Sequence, residues 1–176
     1  KNMGKDFFEA FSSSRKLFFE ANEILGYDIQ SICFEDANQN LNKTIYTQPA
    51  IYLNSMIINK ILNEKNISPT ICAGHSLGEI SAIVCAGCLS FEDGLKLIKT
   101  RATEMFSAGN NNPGSMVAII NPSLDAIKSC TKNHNITIAN FNSKKQIILS
   151  GKKNDIHSIS KEIKLNNLGK VIPLNV

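Results

Sequence analysis

Thr70-Ile71-Cys72-Ala73-Gly74-His75-Ser76-Leu77-Gly78-Glu79 is the stretch on which the reading of this chain turns. Thr70 to Ala73 is short, apolar and ends at Gly74, the pattern of a buried strand in a parallel sheet. Leu77, Ile80, Ala82, Ile83, Val84 and Cys85 then follow at helical spacing as far as Gly87. Gly74-His75-Ser76-Leu77-Gly78 therefore reads as a Gly-x-Ser-x-Gly turn between strand and helix, the context a nucleophile elbow requires. The glycines let the chain fold tightly around Ser76 and leave its Oγ exposed. The N–H of Leu77, at the start of the helix, can then face a developing oxyanion.

Working upstream, Phe7, Phe11, Phe18 and Leu25 recur at spacings of four and seven, which predicts one helix from Asp6 to about Gly26. After a polar stretch, Thr47 is expected to cap a second helix with Pro49 in its first turn. The apolar residues from Ile51 to Leu62 cover most of that helix's circumference and predict burial on nearly all sides. Downstream, Ser90 with Asp93 reads as a capping box for a helix whose apolar face is Phe91, Leu95, Ile98, Ala102, Met105 and Phe106. Arg101 borders that face.

The period changes after the Asn-Gly-Pro-rich joint Gly109 to Pro113. Strands are expected at 115–120, 136–139, 146–150 and 170–176, with helices at 123–130 and 155–165. That order, βαββαβ, is the ferredoxin-like pattern. The fold class expected is α/β, with residues 1–110 carrying the elbow and 111–176 forming the ferredoxin-like subdomain.

With 176 residues, 43% hydrophobic and 19% charged, the chain can bury a core, and no apolar run reaches the length of a membrane span. A net charge of +4 is too small and too spread out to argue for nucleic-acid binding, and the Lys/Arg-Gly-aromatic signature of an RNA-recognition platform is absent. Five cysteines, odd in number and mostly in apolar stretches, read as reduced thiols and point to the cytoplasm. Cys85-x-x-Cys88 lacks a second Cys/His pair and reads as helix packing, so no metal is expected.

Gly74-His75-Ser76-Leu77-Gly78-Glu79, Tyr46-Thr47-Gln48-Pro49-Ala50, Leu89-Ser90-Phe91-Glu92-Asp93, Arg101, Asn140-Phe141-Asn142-Ser143 and Ser150-Gly151 together resemble the malonyl-CoA:acyl carrier protein transacylases over essentially the whole chain. The resemblance implies an α/β-hydrolase-like acyltransferase domain with an inserted ferredoxin-like subdomain, so that residues 1–110 form an incomplete hydrolase-like part. It implies that Ser76 is the nucleophile of a ping-pong acyl transfer, that the Leu77 N–H is an oxyanion donor, and that Arg101 pairs with the free malonyl carboxylate. Gln48, Asn142 and His75 are weaker candidates for the substrate cleft. No cofactor is implied. The resemblance further implies malonyl-CoA as substrate, an acyl carrier protein bearing phosphopantetheine as partner, and a monomer of fatty-acid synthesis.

Two family segments find no counterpart in these residues: a Gly-Gln-Gly-Ser-Gln loop with a second oxyanion donor, and a Phe-His-Ser-like segment with the catalytic histidine. None of His75, His134 and His157 matches the latter. The expectation is a partial chain, unable to turn over alone. An acyltransferase domain of a polyketide synthase is the alternative within the family. A serine esterase or thioesterase would share the elbow and take Ser76, Asp155 and His157 in that order, although the last two lie two apart on one helix.

Overall fold

The computed structural model describes residues 1–174. It divides into two compact units, Lys1–Ala108 and a second beginning at Gly109.

The first unit is helical among the described residues. Instead of one helix from Asp6, there are two, α1 (Lys5–Ala10) and α2 (Ser12–Leu25), separated by Phe11 in an extended conformation. The break is stabilised locally. Arg15 Nη1 donates to the carbonyls of Phe8 (2.8 Å) and Glu9 (3.1 Å), which the end of α1 leaves without helical partners. α2 stops where expected, at Gly26 with φ 79, the left-handed conformation that glycine accepts most readily. A short helix that the periodicity did not signal, α3 (Ile29–Phe34), is capped by Asp28, whose carboxylate accepts from Ser31 N–H. A 3₁₀ turn, Asn40–Asn42, leads into α4 (Thr44–Glu64).

α4 begins earlier than the sequence suggests. Thr47 is not its cap, because its hydroxyl donates back to the carbonyls of Leu41 (2.6 Å) and Lys43 (2.9 Å). Pro49 consequently lies inside the helix, where it has no N–H for the Ile45 carbonyl. The Tyr27 hydroxyl meets that carbonyl at 3.5 Å, and burial raises the pKa of Tyr27, which keeps it a donor. Nor is α4 enclosed all round: Ile51, Ile58 and Leu62 are about two-fifths exposed, while Tyr52, Leu53 and Ile57 are fully buried.

α5 (Gly78–Cys85) and α6 (Phe91–Asn111) follow, and Ser90 Oγ accepts from Asp93 N–H at 3.0 Å to cap α6. Tyr52 joins α4 to α6. Its ring stacks on Phe91, and its hydroxyl donates to the Phe91 carbonyl at 2.9 Å. Gly94 makes the approach possible, since a Cβ there would lie 2.3 Å from the Tyr52 oxygen. Tyr52→Phe should cost about 1 kcal/mol in urea unfolding, the net worth of one buried hydrogen bond, with the core packing retained. The core of the unit is built from Phe18, Leu25, Ile29, Leu53, Ile57 and Ile98, with edge-to-face contacts among Phe8, Phe18 and Phe34.

The predicted strand at Thr70 to Ala73 does not form; the segment bends at Thr70 and Ile71 and is unpaired, and Ile71 is 85% exposed. A strand is stabilised by its ladder, and no other segment of this unit offers one among the described residues.

The second unit shows β1 (Gly114–Ile120), α7 (Leu124–Asn133), β2 (Ile136–Ser143), β3 (Gln146–Lys152), α8 (Lys153–Leu165) and β4 (Lys170–Leu174). The βαββαβ order is as read from the sequence. Asn175 and Val176, the end of the last expected strand, lie outside the described residues. The sheet order is β2-β3-β1-β4 with all pairs antiparallel, so β3 separates β1 from β2 in a split βαβ arrangement. Ile127, Ile156, Ile159 and Ile163 from the helices pack on Val117, Ile119, Ile147 and Leu149 of the sheet.

At the far end of α7 the Glu162 carboxylate receives the Cys130 thiol and lies 2.9 Å from His134 Nε2. These contacts hold its pKa below the usual carboxylate value, the Cys130 thiol contributing most. A depressed folded pKa means that the stabilisation is present above the ordinary carboxylate value and is lost as pH falls through the folded one. The stability advantage of the protein over Glu162→Gln, followed by urea unfolding, should therefore shrink steadily from pH 5 downward.

Candidate active site

The elbow forms without its strand. Gly78 N–H donates to the His75 carbonyl (3.0 Å) and Glu79 N–H to the Ser76 carbonyl (3.2 Å), which winds the chain directly from Gly74 into α5. This turn forces Ser76 to φ 55, a left-handed conformation that costs a side-chain-bearing residue about 1–3 kcal/mol. Ser76 is exposed as a result. The winding also brings residues 74 and 78 together: a Cβ on Gly74 would lie 1.9 Å from the carbonyl carbon and oxygen of Gly78. Leu77, immediately before α5, takes no part in these turn bonds through its N–H, which therefore stands at the positive end of the helix.

α6 and α4 bring the other groups to Ser76. Arg101 Nη2 donates to Ser76 Oγ at 3.0 Å, and Nη1 donates to Gln48 Oε1. Gln48 is 4% exposed, and its Nε2 donates to Thr44 Oγ1 at 2.8 Å and to Met105 Sδ at 3.3 Å. Because Arg101 Nη2 donates the hydrogen bond and Ser76 Oγ accepts it, the serine O–H remains free to donate to a base. The arginine is bonded through Nη1 to buried Gln48 and through Nη2 to Ser76. A carboxylate on an acyl group carried by Ser76 is the ligand that such a fork accommodates.

Thus Ser76, Leu77, Arg101 and Gln48 meet in one unit. Thr44 and Met105 join them, and the sequence reading had missed both; their positions four residues before Gln48 and four after Arg101, one helical turn each, were the available signal. His75 is exposed beside the nucleophile. Asn142 belongs to the second unit, on β2, where its Nδ2 donates to Gln146 Oε1 at 3.0 Å. His134 is engaged by Glu162, and His157 is exposed on α8, with buried Ile156 between it and Asp155. The first unit also has an apolar groove of about 460 Å³ behind the elbow, lined by Ile58, Leu62, Ile67, Ile71, Cys72 and Ala82 among others; Ser76, Arg101 and Gln48 are not in its wall.

Residues 10–176 match the family model described as "Acyl transferase domain". The chain belongs to that family. This acyl transferase domain is similar to the polyketide biosynthesis malonyl CoA-acyl carrier protein transacylase of Bacillus subtilis (36% identity, 100% of this chain and 61% of the relative). It is also similar to the malonyl CoA-acyl carrier protein transacylase of the same organism (35%, covering 99% and 56%). Among solved structures, the malonyl CoA-acyl carrier protein transacylase of Clostridium perfringens superposes with a TM-score of 0.91 at 36% identity over 99% of this chain and 56% of that one. The acyl transferase chain thus spans about three-fifths of the length of these two curated relatives. Its mixed α/β fold, a small antiparallel sheet with helices, agrees with the class expected. Among the described residues no group of His, Cys, Asp and Glu could hold a metal ion, and no helix is long and apolar enough to cross a membrane.

Proposed function

We propose that the protein transfers malonyl groups from malonyl-CoA to the phosphopantetheine thiol of an acyl carrier protein, as a malonyltransferase of fatty-acid synthesis. The observation that supports this best is the Arg101 fork, bonded at once to buried Gln48 and to Ser76 Oγ. In the first half-reaction Ser76 Oγ attacks the thioester carbonyl carbon. The C–O bond forms, the C–S bond breaks, and coenzyme A leaves as the thiol with the proton that the hydroxyl gave to a base. Leu77 N–H stabilises the tetrahedral oxyanion, and Arg101 pairs with the malonyl carboxylate, favouring a dicarboxylic acyl group over acetyl. The carrier thiol, giving its proton to the base, then attacks the ester carbonyl; the C–S bond forms, the ester C–O bond breaks, and the base returns the proton to Ser76 Oγ. His75 is assigned a supporting place beside Ser76.

The coenzyme is a substrate here, and no cofactor takes part. Five free cysteines suit a reducing cytoplasm; burial pushes the Cys33 thiol up to about 12, so it stays protonated and inert. Polyketide-associated relatives fit the same chemistry, which makes an acyltransferase of polyketide assembly the second reading.

Intact-mass spectrometry after incubation with malonyl-CoA tests the proposal, with imidazole added to supply a base near neutral pH. The expected result is one malonyl group per chain, removed by pantetheine. No adduct, with hydrolysis of a simple ester instead, would move the assignment to a serine hydrolase.

A further inference from the structure

The hydrogen bonds around Gln48 have a forced direction. A guanidinium only donates, so the atom of Gln48 that meets Arg101 Nη1 must be the amide oxygen. The NH₂ group then faces the other way, toward Thr44 Oγ1 and Met105 Sδ, which both act as acceptors. Turned by 180°, the amide would set its N–H groups against the N–H groups of Arg101 and its oxygen against the thioether sulfur. Gln48 is buried, so water offers little compensation for the wrong orientation. Its two orientations have the same shape and differ in hydrogen bonding alone. Arg101, which can only donate, selects between them, and Thr44 and Met105 fix the NH₂ side of the orientation so selected.

We propose that Thr44 on α4 and Met105 on α6 are positioning residues: they hold the Gln48 amide with its oxygen toward Arg101 and so aim the guanidinium at the acyl group on Ser76. Neither touches the nucleophile in the bonds described. The inference rests on the reading of Arg101 as the carboxylate partner for its consequence in selectivity, but not for the geometry itself. Thr44 carries the larger share, because a hydroxyl oxygen is a better acceptor than a thioether sulfur, and its bond is the shorter by half an ångström.

The test has two readouts. In the ¹⁵N-labelled chain, hydrogen exchange of the Arg101 guanidinium protons, assigned by their loss in Arg101→Ala, reports how firmly the fork is held. Thr44→Val should speed that exchange about tenfold, Thr44→Ser should restore it, and Met105→Leu should speed it by a smaller factor. The backbone amide spectrum of α4 and α6 should be shared by all three variants. Unchanged exchange in Thr44→Val overturns the proposal, as does a Thr44→Ser variant that fails to restore it.

Equilibrium binding of malonyl-CoA and acetyl-CoA is the second readout. Thr44→Val should lower the preference for malonyl-CoA severalfold through malonyl affinity alone, and Arg101→Ala should lower it about tenfold. If Arg101→Ala leaves the preference unchanged, the carboxylate reading falls, while the exchange rates still decide whether Thr44 positions the fork. If Arg101→Ala lowers the preference and Thr44→Val does not, the positioning role falls alone.

Discussion

Gly74→Ala should slow acylation of Ser76 by malonyl-CoA about a hundredfold or more, measured as the rate of malonyl-adduct formation by intact mass. The added Cβ would lie 1.9 Å from two backbone atoms of Gly78 and 2.4 Å from Glu79 N. Contact at an ordinary distance needs more than 1 Å of movement, and no flexible side chain is there to yield. The backbone that must move is the one that sets Ser76 at φ 55 and places Leu77 N–H at the start of α5. A displacement of about 1 Å in a reacting group is worth on the order of a hundredfold in rate. The second glycine of the motif provides the control. A Cβ on Gly78 meets nothing within 4 Å, and its φ is not in the left-handed region, so Gly78→Ala should acylate within about threefold of the parent protein. Equal damage from both substitutions would show that the motif matters for something other than the close approach at Gly74.

Ser76→Ala should remove the malonyl adduct altogether. No other side chain in the first unit combines a hydroxyl at the start of a helix with a guanidinium 3.0 Å away among the described residues. The variant should fold nearly as stably as the parent, because alanine retains the same backbone and forgoes only an exposed bond to Arg101 Nη2. Arg101 keeps its bond to Gln48, so the carboxylate fork survives, and malonyl-CoA should still bind in preference to acetyl-CoA. Loss of the adduct with retained binding separates the nucleophile from the recognition group. An adduct that persists in Ser76→Ala would place the acyl group elsewhere, and peptide mapping would then locate it.

Much of the second unit could be read from residue order alone. The short apolar runs in β1 and β3, the 3.6-residue period in α7 and α8, and the turn residues between them all favour the same βαββαβ arrangement, and every strand of that sheet finds its ladder within the unit. Thr70 to Ala73 has an equally good strand composition, yet it stays unpaired, because strand formation depends on a neighbour that local sequence cannot supply. The break at Phe11 was hidden for a related reason. The apolar stripe continues across it, and the bonds from Arg15 to the Phe8 and Glu9 carbonyls, which stabilise the end of α1, come from a side chain beyond the break. Pro49 marks the same limit: its place inside α4 became visible through Tyr27, 18 residues away from Ile45.

By itself the sequence determined the tight turn at Ser76, since Gly74 alone admits the close approach of the Gly78 backbone, and it determined the βαββαβ order, which local periods and turn residues set. Tertiary structure alone decided which partners serve the nucleophile. Arg101 lies 25 residues from Ser76 and 53 from Gln48, and only the packing of α4, α5 and α6 brings the three side chains within hydrogen-bond reach. The orientation of the Gln48 amide was likewise decided in three dimensions, because its two faces are the same in shape and are told apart by donors and acceptors from separate helices.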